Sequence, residues 1–186
     1  NNGITRFSGD TSGFTGRVVM NSASGVMEIA GVDHTIGSLR SSAVGIGTVE
    51  NNNATDATLT VGADGTTDAI FDGIIQDGAA GGTLSFAKTG TGTQTLSGVN
   101  TYTGTTTVSA GTLLINGDQS AAMGAVNVAS GGTLGGSGTI GGVTTVAAGG
   151  SLTGGTEGAV GTLTFENGLS SAGSTWLIDL VGGSGG

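Results

Sequence analysis

The sequence predicts an all-β protein, a right-handed parallel β-helix (β-solenoid) with coils of about 20 residues. Three observations point there. Apolar and polar residues alternate over short runs, as at Leu84 and Phe86 or Leu113 and Ile115, the signature of a half-buried strand. The segment TVSAGTL at 107–113 returns as NVASGGTL at 127–134 and as TVAAGGSL at 145–152. Its valines, Val108, Val128 and Val146, stand 20 and then 18 residues apart, and self-similarity on that scale marks a solenoid. Finally, 41 of the 186 residues are Gly and none is Pro. A stack of tightly turned strands uses Gly at its corners and keeps Pro out of its ladders.

A single coil of this kind has no core; the stack supplies one, with Val resting on Val and Leu on Leu. About nine coils at the strand spacing of roughly 4.8 Å would build a rod of roughly 40–45 Å. Gly and Asn are expected at corners that need φ > 0. Thr, a good strand residue, is expected to face outward with its hydroxyl in water.

In chain order, strands are expected at 4–7, 17–20 and 26–29, then at 36–39, 44–49 and 58–61. Asn51-Asn52-Asn53-Ala54 is the clearest loop. An acidic stretch follows at 64–77, where Asp64, Asp68, Asp72 and Asp77 surround Ile70-Phe71 and Ile74-Ile75. The runs at Leu84 and Phe86, at Val108, and at Leu113 and Ile115 are the next three strands, punctuated by Gly98-Val99-Asn100 and Asn116-Gly117. Echoes of this stretch (83–117) follow at 126–134 and 144–152, and final strands are expected at 161–165 and 176–180. One solenoid domain over 1–181 results, with 182–186 (GGSGG) as a Gly/Ser tail or linker.

The stretch KTGTGTQTLSGVNTYTGTTTVSAGTLLING at 88–117 resembles the autotransporter-associated β-strand repeat, also called the passenger-associated transport repeat. Lys88, Gly90, Gly92, Leu96, Gly98, Asn100, Tyr102, Gly104, Thr106, Val108, Gly111 and Leu113 fill the places of that pattern. The piece FSGDTSGFTGRVVM, with Phe14 in a glycine-bounded turn, is similar to a motif of the same passenger proteins. The resemblance implies a β-helical passenger or stalk on the outer surface of a Gram-negative cell, with the repeat associated with secretion and folding outside it.

Charge narrows the partners. A net charge of −9 with only four basic residues cannot provide the basic stripe that nucleic acid requires, nor attraction to an anionic membrane. No apolar run approaches the length of a spanning helix, so no membrane insertion by this segment is expected. The opening NNGITRF lacks the charged and apolar regions of a signal peptide. With no Cys, disulfides and Cys-based zinc sites are ruled out.

The search for chemistry returns no catalytic, cofactor or metal assignment and an expectation that the chain is not an enzyme. His34, beside Asp33, is the single histidine; no G-x-S-x-G elbow accompanies it, and a surface or turn position is expected. Polysaccharide-cleaving β-helices use carboxylates with a nearby base, which makes Asp64, Asp68, Asp72 and Asp77 with Lys88 the alternative site, or a lone calcium position. A solvated loop is the simpler reading. One Trp and one Tyr form no sugar-binding row: Tyr102 is expected to pack within the repeat, and Trp176 to cover the end of the core. Two alternatives to a stalk therefore stay open: a self-assembling filament joined through open solenoid ends, and a polysaccharide lyase or hydrolase. No residue specifies a host or matrix ligand.

Overall fold

The computed structural model describes residues 3–7, 9, 14–66, 68–156 and 159–177. Among them there is no helix; parallel strands stack into a β-solenoid of about 7 turns with about 22 residues per turn. The expected strand at 176–180 falls within the described residues only as far as Leu177, and the tail at 182–186 lies outside them.

Each coil passes over three sides. Side one carries Ile4–Phe7, Val26–Ile29, Thr48–Asn51 and Ile74–Asp77, hydrogen-bonded in that order. Farther along, the same side is rebuilt by Asp118–Gln119, Thr139–Ile140 and Thr164–Phe165. Side two is one seven-stranded sheet: His34–Ile36, Ala57–Val61, Leu84–Lys88, Thr106–Val108, Val126–Val128, Thr144–Val146 and Leu169–Ser171. Side three begins with the pair Val18–Met20 and Leu39–Ser41, then runs through Ala69–Phe71, Thr93–Leu96, Gly111–Ile115 and Gly132–Gly136. Ser151–Thr153 and Thr175–Leu177 extend it, beside a small antiparallel hairpin of Gly155–Thr156 and Ala159–Val160.

The register stacks like on like, as expected. Val108, Val128 and Val146 form one inward column on side two, and Leu113, Leu134 and Leu152 form one on side three. All six are buried, so the apolar area hidden from water belongs to the stack and not to any coil. Upstream the side-two column reads Ile36, Val61, Lys88, with steps of 25 and 27 residues instead of 20 and 18. The first coils are thus wider than the echo suggests, which is why there are fewer than nine. Their larger interior holds the bulky side chains Phe71 and Phe86, and the Phe86 ring meets that of Tyr102, in the first 20-residue coil, tilted 37° at a centroid distance of 6.4 Å.

Glycine makes the corners possible through close approach. At Gly98 a Cβ would fall on the carbonyl oxygen of Gly73, and at Gly117 on that of Gly98. Among the described residues only Gly adopts positive φ, so Asn does not serve the corners through the left-handed conformation expected of it. Asn51 acts through its carboxamide: Oδ1 accepts the Gly31 N–H at 3.0 Å, and Nδ2 donates to Thr55 and Thr83 carbonyls at 2.8 and 2.9 Å.

Other local expectations shift. Asn51 closes a strand instead of belonging to a loop. Residues 36–39 are a corner between two strands, because Gly37 packs on the Thr15 carbonyl and turns the chain. Residues 44–47 are a loop with Val44 86% exposed, and the strand starts at Thr48. Thr106 and Thr144 point inward and are buried, unlike the outward Thr pattern. Thr93–Leu96 is a strand that alternation did not reveal, since its inward residues are Gln94 and Leu96.

Candidate functional site

The acidic stretch is dispersed by the coil geometry. Asp64 and Asp68 lie in the link from side two to side three, Asp72 in the link from side three to side one, and Asp77 at the end of the side-one strand. A run that looks clustered in sequence wraps most of a turn. Among the described residues no three of His, Asp and Glu are grouped to hold a metal ion.

Asp33, Asp56, Asp64, Asp77 and Asp118 each accept a backbone N–H, whereas Glu28 pairs with the Arg6 guanidinium at 2.8 Å and Glu50 accepts from Gln76 Nε2 at 2.9 Å. Asp77 Oδ1 accepts the Leu84 N–H at 2.7 Å, while its Oδ2 accepts the Thr103 N–H and hydroxyl at 3.0 and 2.6 Å. Asp33 and Asp56 accept the N–H of Thr58 and Thr83, each at 2.8 Å and each one coil on. The bond from the Thr83 N–H holds the Asp56 carboxyl below its ordinary range. For Asp64, burial pushes the pKa up, but the Thr66 N–H, the Ser38 hydroxyl at 2.7 Å and the Arg17 charge outweigh it and bring it down.

His34 is not at the surface. It is buried in the first side-two strand, with Nε2 3.0 Å from the Phe7 carbonyl and its ring edge-on to Phe7 at 5.6 Å. The inward position follows from register, since His34 stacks on Leu59. Lys88 is likewise inward, in the column between Val61 and Val108. Its Nζ donates to the carbonyls of Thr89, Gly90 and Ala110 at 2.6, 3.1 and 3.4 Å. Burial lowers its pKa to about 8, with Asp64 opposing the shift. An ammonium whose three protons meet backbone oxygens is a corner fastening.

The repeat contributes three further interior groups. Asn100 joins the two halves of side one: its Oδ1 accepts the Ile75 N–H at 2.7 Å, and its own N–H donates to the Asp118 carbonyl at 3.3 Å. Tyr102 is buried with its hydroxyl 2.7 Å from Thr106 Oγ1, and burial raises its pKa to about 12. Gln94 bridges the break on side three. Its Oε1 accepts the Leu39 N–H at 3.1 Å, and its Nε2 donates to the carbonyls of Leu39 and Ala69 at 2.9 and 3.2 Å. The small Ala69, aligned with Gln94 in register, leaves room for that reach. Nothing in the sequence singled out Gln94, because a polar residue at an inward place breaks the alternation that marks a strand. Trp176 stacks over Leu152 but stays 54% exposed, on the rim of an apolar hollow at the far end.

Among the described residues no helix is long and apolar enough to cross a membrane. Residues 86–115 match the family model of the passenger-associated transport repeat. No curated protein and no solved structure matches the chain significantly. The matched residues run from the side-two strand containing Phe86 to the side-three strand ending at Ile115, so the family pattern describes one coil and part of another. The chain is thus a stacked parallel β-solenoid in which residues 86–115 are similar to the passenger-associated transport repeat.

Proposed function

We propose that this chain is a structural stalk segment of a bacterial surface or secreted protein, displayed outside the cell, whose repeat promotes folding as the chain emerges. The observation that carries the reading is continuity. Residues 86–115 sit inside columns that continue to the coils before and after them on sides two and three, so each new coil meets a formed edge with open hydrogen-bonding groups. Adding coils to such an edge is a nearest-neighbour process that can start once one stable unit exists. Folding on the outer side then opposes back-sliding of the chain. A non-catalytic role is supported by the use of Lys88, Asp56 and Asp77 on backbone groups. The acidic balance supports a segment without nucleic-acid partners.

The test places the chain between a signal peptide and an outer-membrane β-barrel and follows display by accessibility to added protease. Removal of 86–115, or the substitution Gln94→Leu, is expected to lower display several-fold. Unchanged display in both would overturn the folding role. Release of unsaturated or reducing ends from acidic polysaccharides by the intact chain would overturn the non-catalytic reading.

A second reading has one observation in its favour. Hollows of about 330 and 350 Å³ lie at the two ends of the described stack, one of mixed polarity lined by Phe7, Val18, Asn21 and Met27, the other apolar and lined by Leu152, Phe165 and Trp176. End-to-end self-association would bury them. Short uniform particles in electron micrographs of concentrated protein would count against it.

A further inference from the structure

The chain has three Asn-Gly steps, at 2–3, 116–117 and 167–168; Asn2 lies outside the described residues. We infer that Asn167 is a site of spontaneous deamidation, with water as the only co-reactant, and that the fold protects Asn116 from the same reaction. The step requires the following backbone nitrogen to attack the side-chain amide carbon. Glycine lacks the Cβ that would obstruct this approach, so local sequence makes the two steps equivalent. The coil does not.

At Asn116 the attacking group is engaged. The Gly117 N–H donates to the Leu96 carbonyl at 3.1 Å, the Gly117 carbonyl accepts the Thr139 N–H at 3.2 Å, and Gly117 is buried. Attack there must first break a rung between coils. At Asn167 both residues are exposed; the Gly168 carbonyl accepts the Thr144 N–H at 3.0 Å, as its counterpart does, but the Gly168 N–H has no acceptor among the described residues. A Cβ built on Gly168 would meet nothing within 4 Å, so the approach is open to solvent.

The chemistry balances within the chain. The Gly168 nitrogen bonds to Asn167 Cγ and gives up its proton, the Cγ–Nδ2 bond breaks, and Nδ2 leaves as ammonia. The resulting five-membered imide adds one water at either carbonyl and opens to Asp or to isoaspartate. In the intact fold Asn167 Nδ2 donates to the Gly141 carbonyl at 2.6 Å, tying the last coil to the one before. Either product loses that donor, and isoaspartate also adds a backbone carbon just before Leu169–Ser171, which pairs with Thr144–Val146. The reaction would loosen the terminal coil with age.

Peptide mapping by mass spectrometry after weeks at 37 °C and mildly alkaline pH tests this, with isoaspartate detected by enzymatic methylation. The folded chain is expected to convert Asn167 at least tenfold faster than Asn116, and the chain in urea to convert both at similar rates. Equal rates in the folded chain, or conversion of Asn116 first, would overturn the inference. So would an unchanged Asn167 in folded protein when the urea sample has reacted. Asn167→Asp should independently raise amide exchange at 169–171 several-fold, and unchanged exchange there would refute the coil-loosening consequence.

Discussion

The Gln94 carboxamide holds both the N–H and the carbonyl of Leu39, 55 residues earlier in the chain. It stands where a backbone rung between Leu39–Ser41 and Ala69–Phe71 would otherwise be. Replacing it with Leu fills similar space but removes the acceptor of the buried Leu39 N–H and the donor to the carbonyls of Leu39, Ala69 and Thr95. An unmet buried group costs roughly 1–3 kcal/mol, so Gln94→Leu should lower unfolding free energy by about 2–4 kcal/mol in urea titrations. A change below about 0.5 kcal/mol would mean that the bridge is dispensable.

Asn100 plays the corresponding part on side one. Asn100→Ala removes the acceptor of the Ile75 N–H while leaving the backbone bond to Asp118 in place. The expected loss is about 1–3 kcal/mol, with faster hydrogen exchange at Ile75 in particular. Exchange at Ile75 equal to that of the parent would contradict the assignment.

Lys88 and Tyr102 should give the stability a dome at alkaline pH. Lys88 titrates near 8 in the fold against an ordinary 10.5, so between those values the unfolded chain binds more protons and stability rises with pH. Tyr102 titrates near 12 in the fold against 10.0, so above about pH 10 the unfolded chain loses a proton that the fold retains, and stability falls. Melting temperatures from pH 7 to 12 should therefore peak near pH 10. Lys88→Met should flatten the rise and Tyr102→Phe the fall; a parent profile without either limb would refute both.

Corner glycines should divide sharply by position. Gly98→Ala drives a methyl onto the Gly73 carbonyl, a backbone clash that no rotamer relieves, and the cost should exceed about 3 kcal/mol. Gly3→Ala, with nothing within 4 Å of the added atom, should stay within about 0.5 kcal/mol. Comparable melting temperatures for the two variants would show that the corners can shift.

The solenoid was legible wherever one residue type repeats on its own kind. Val108, Val128 and Val146 gave the period because aliphatic stacking needs only similar size at each step. The wide early coils were not legible, since Lys88 and Gln94 occupy columns otherwise filled by aliphatic residues, and a periodicity test scores them as outward residues. Tyr102 was correctly placed inside the repeat and His34 wrongly at the surface, because a lone inward polar residue carries no local mark. The acidic run at 64–77 misled for a related reason: in a coil, neighbours along the chain part at each corner, and residues a full turn apart become neighbours.

The change in coil length from 27 to 20 residues falls at the step from Lys88 to Val108, within the matched repeat. Asn100 lies between the two side-one sheets at that same level. The repeat thus works like a plumber's reducing coupling, joining a broad tube to a slender one without a break in two of its walls. A chain holding such a fitting can change bore partway along. Its broad bore can house aromatic fillings, while its slender bore is filled mainly by aliphatic side chains, with Gln119 and Thr144 among them, and uses fewer residues for each step of length.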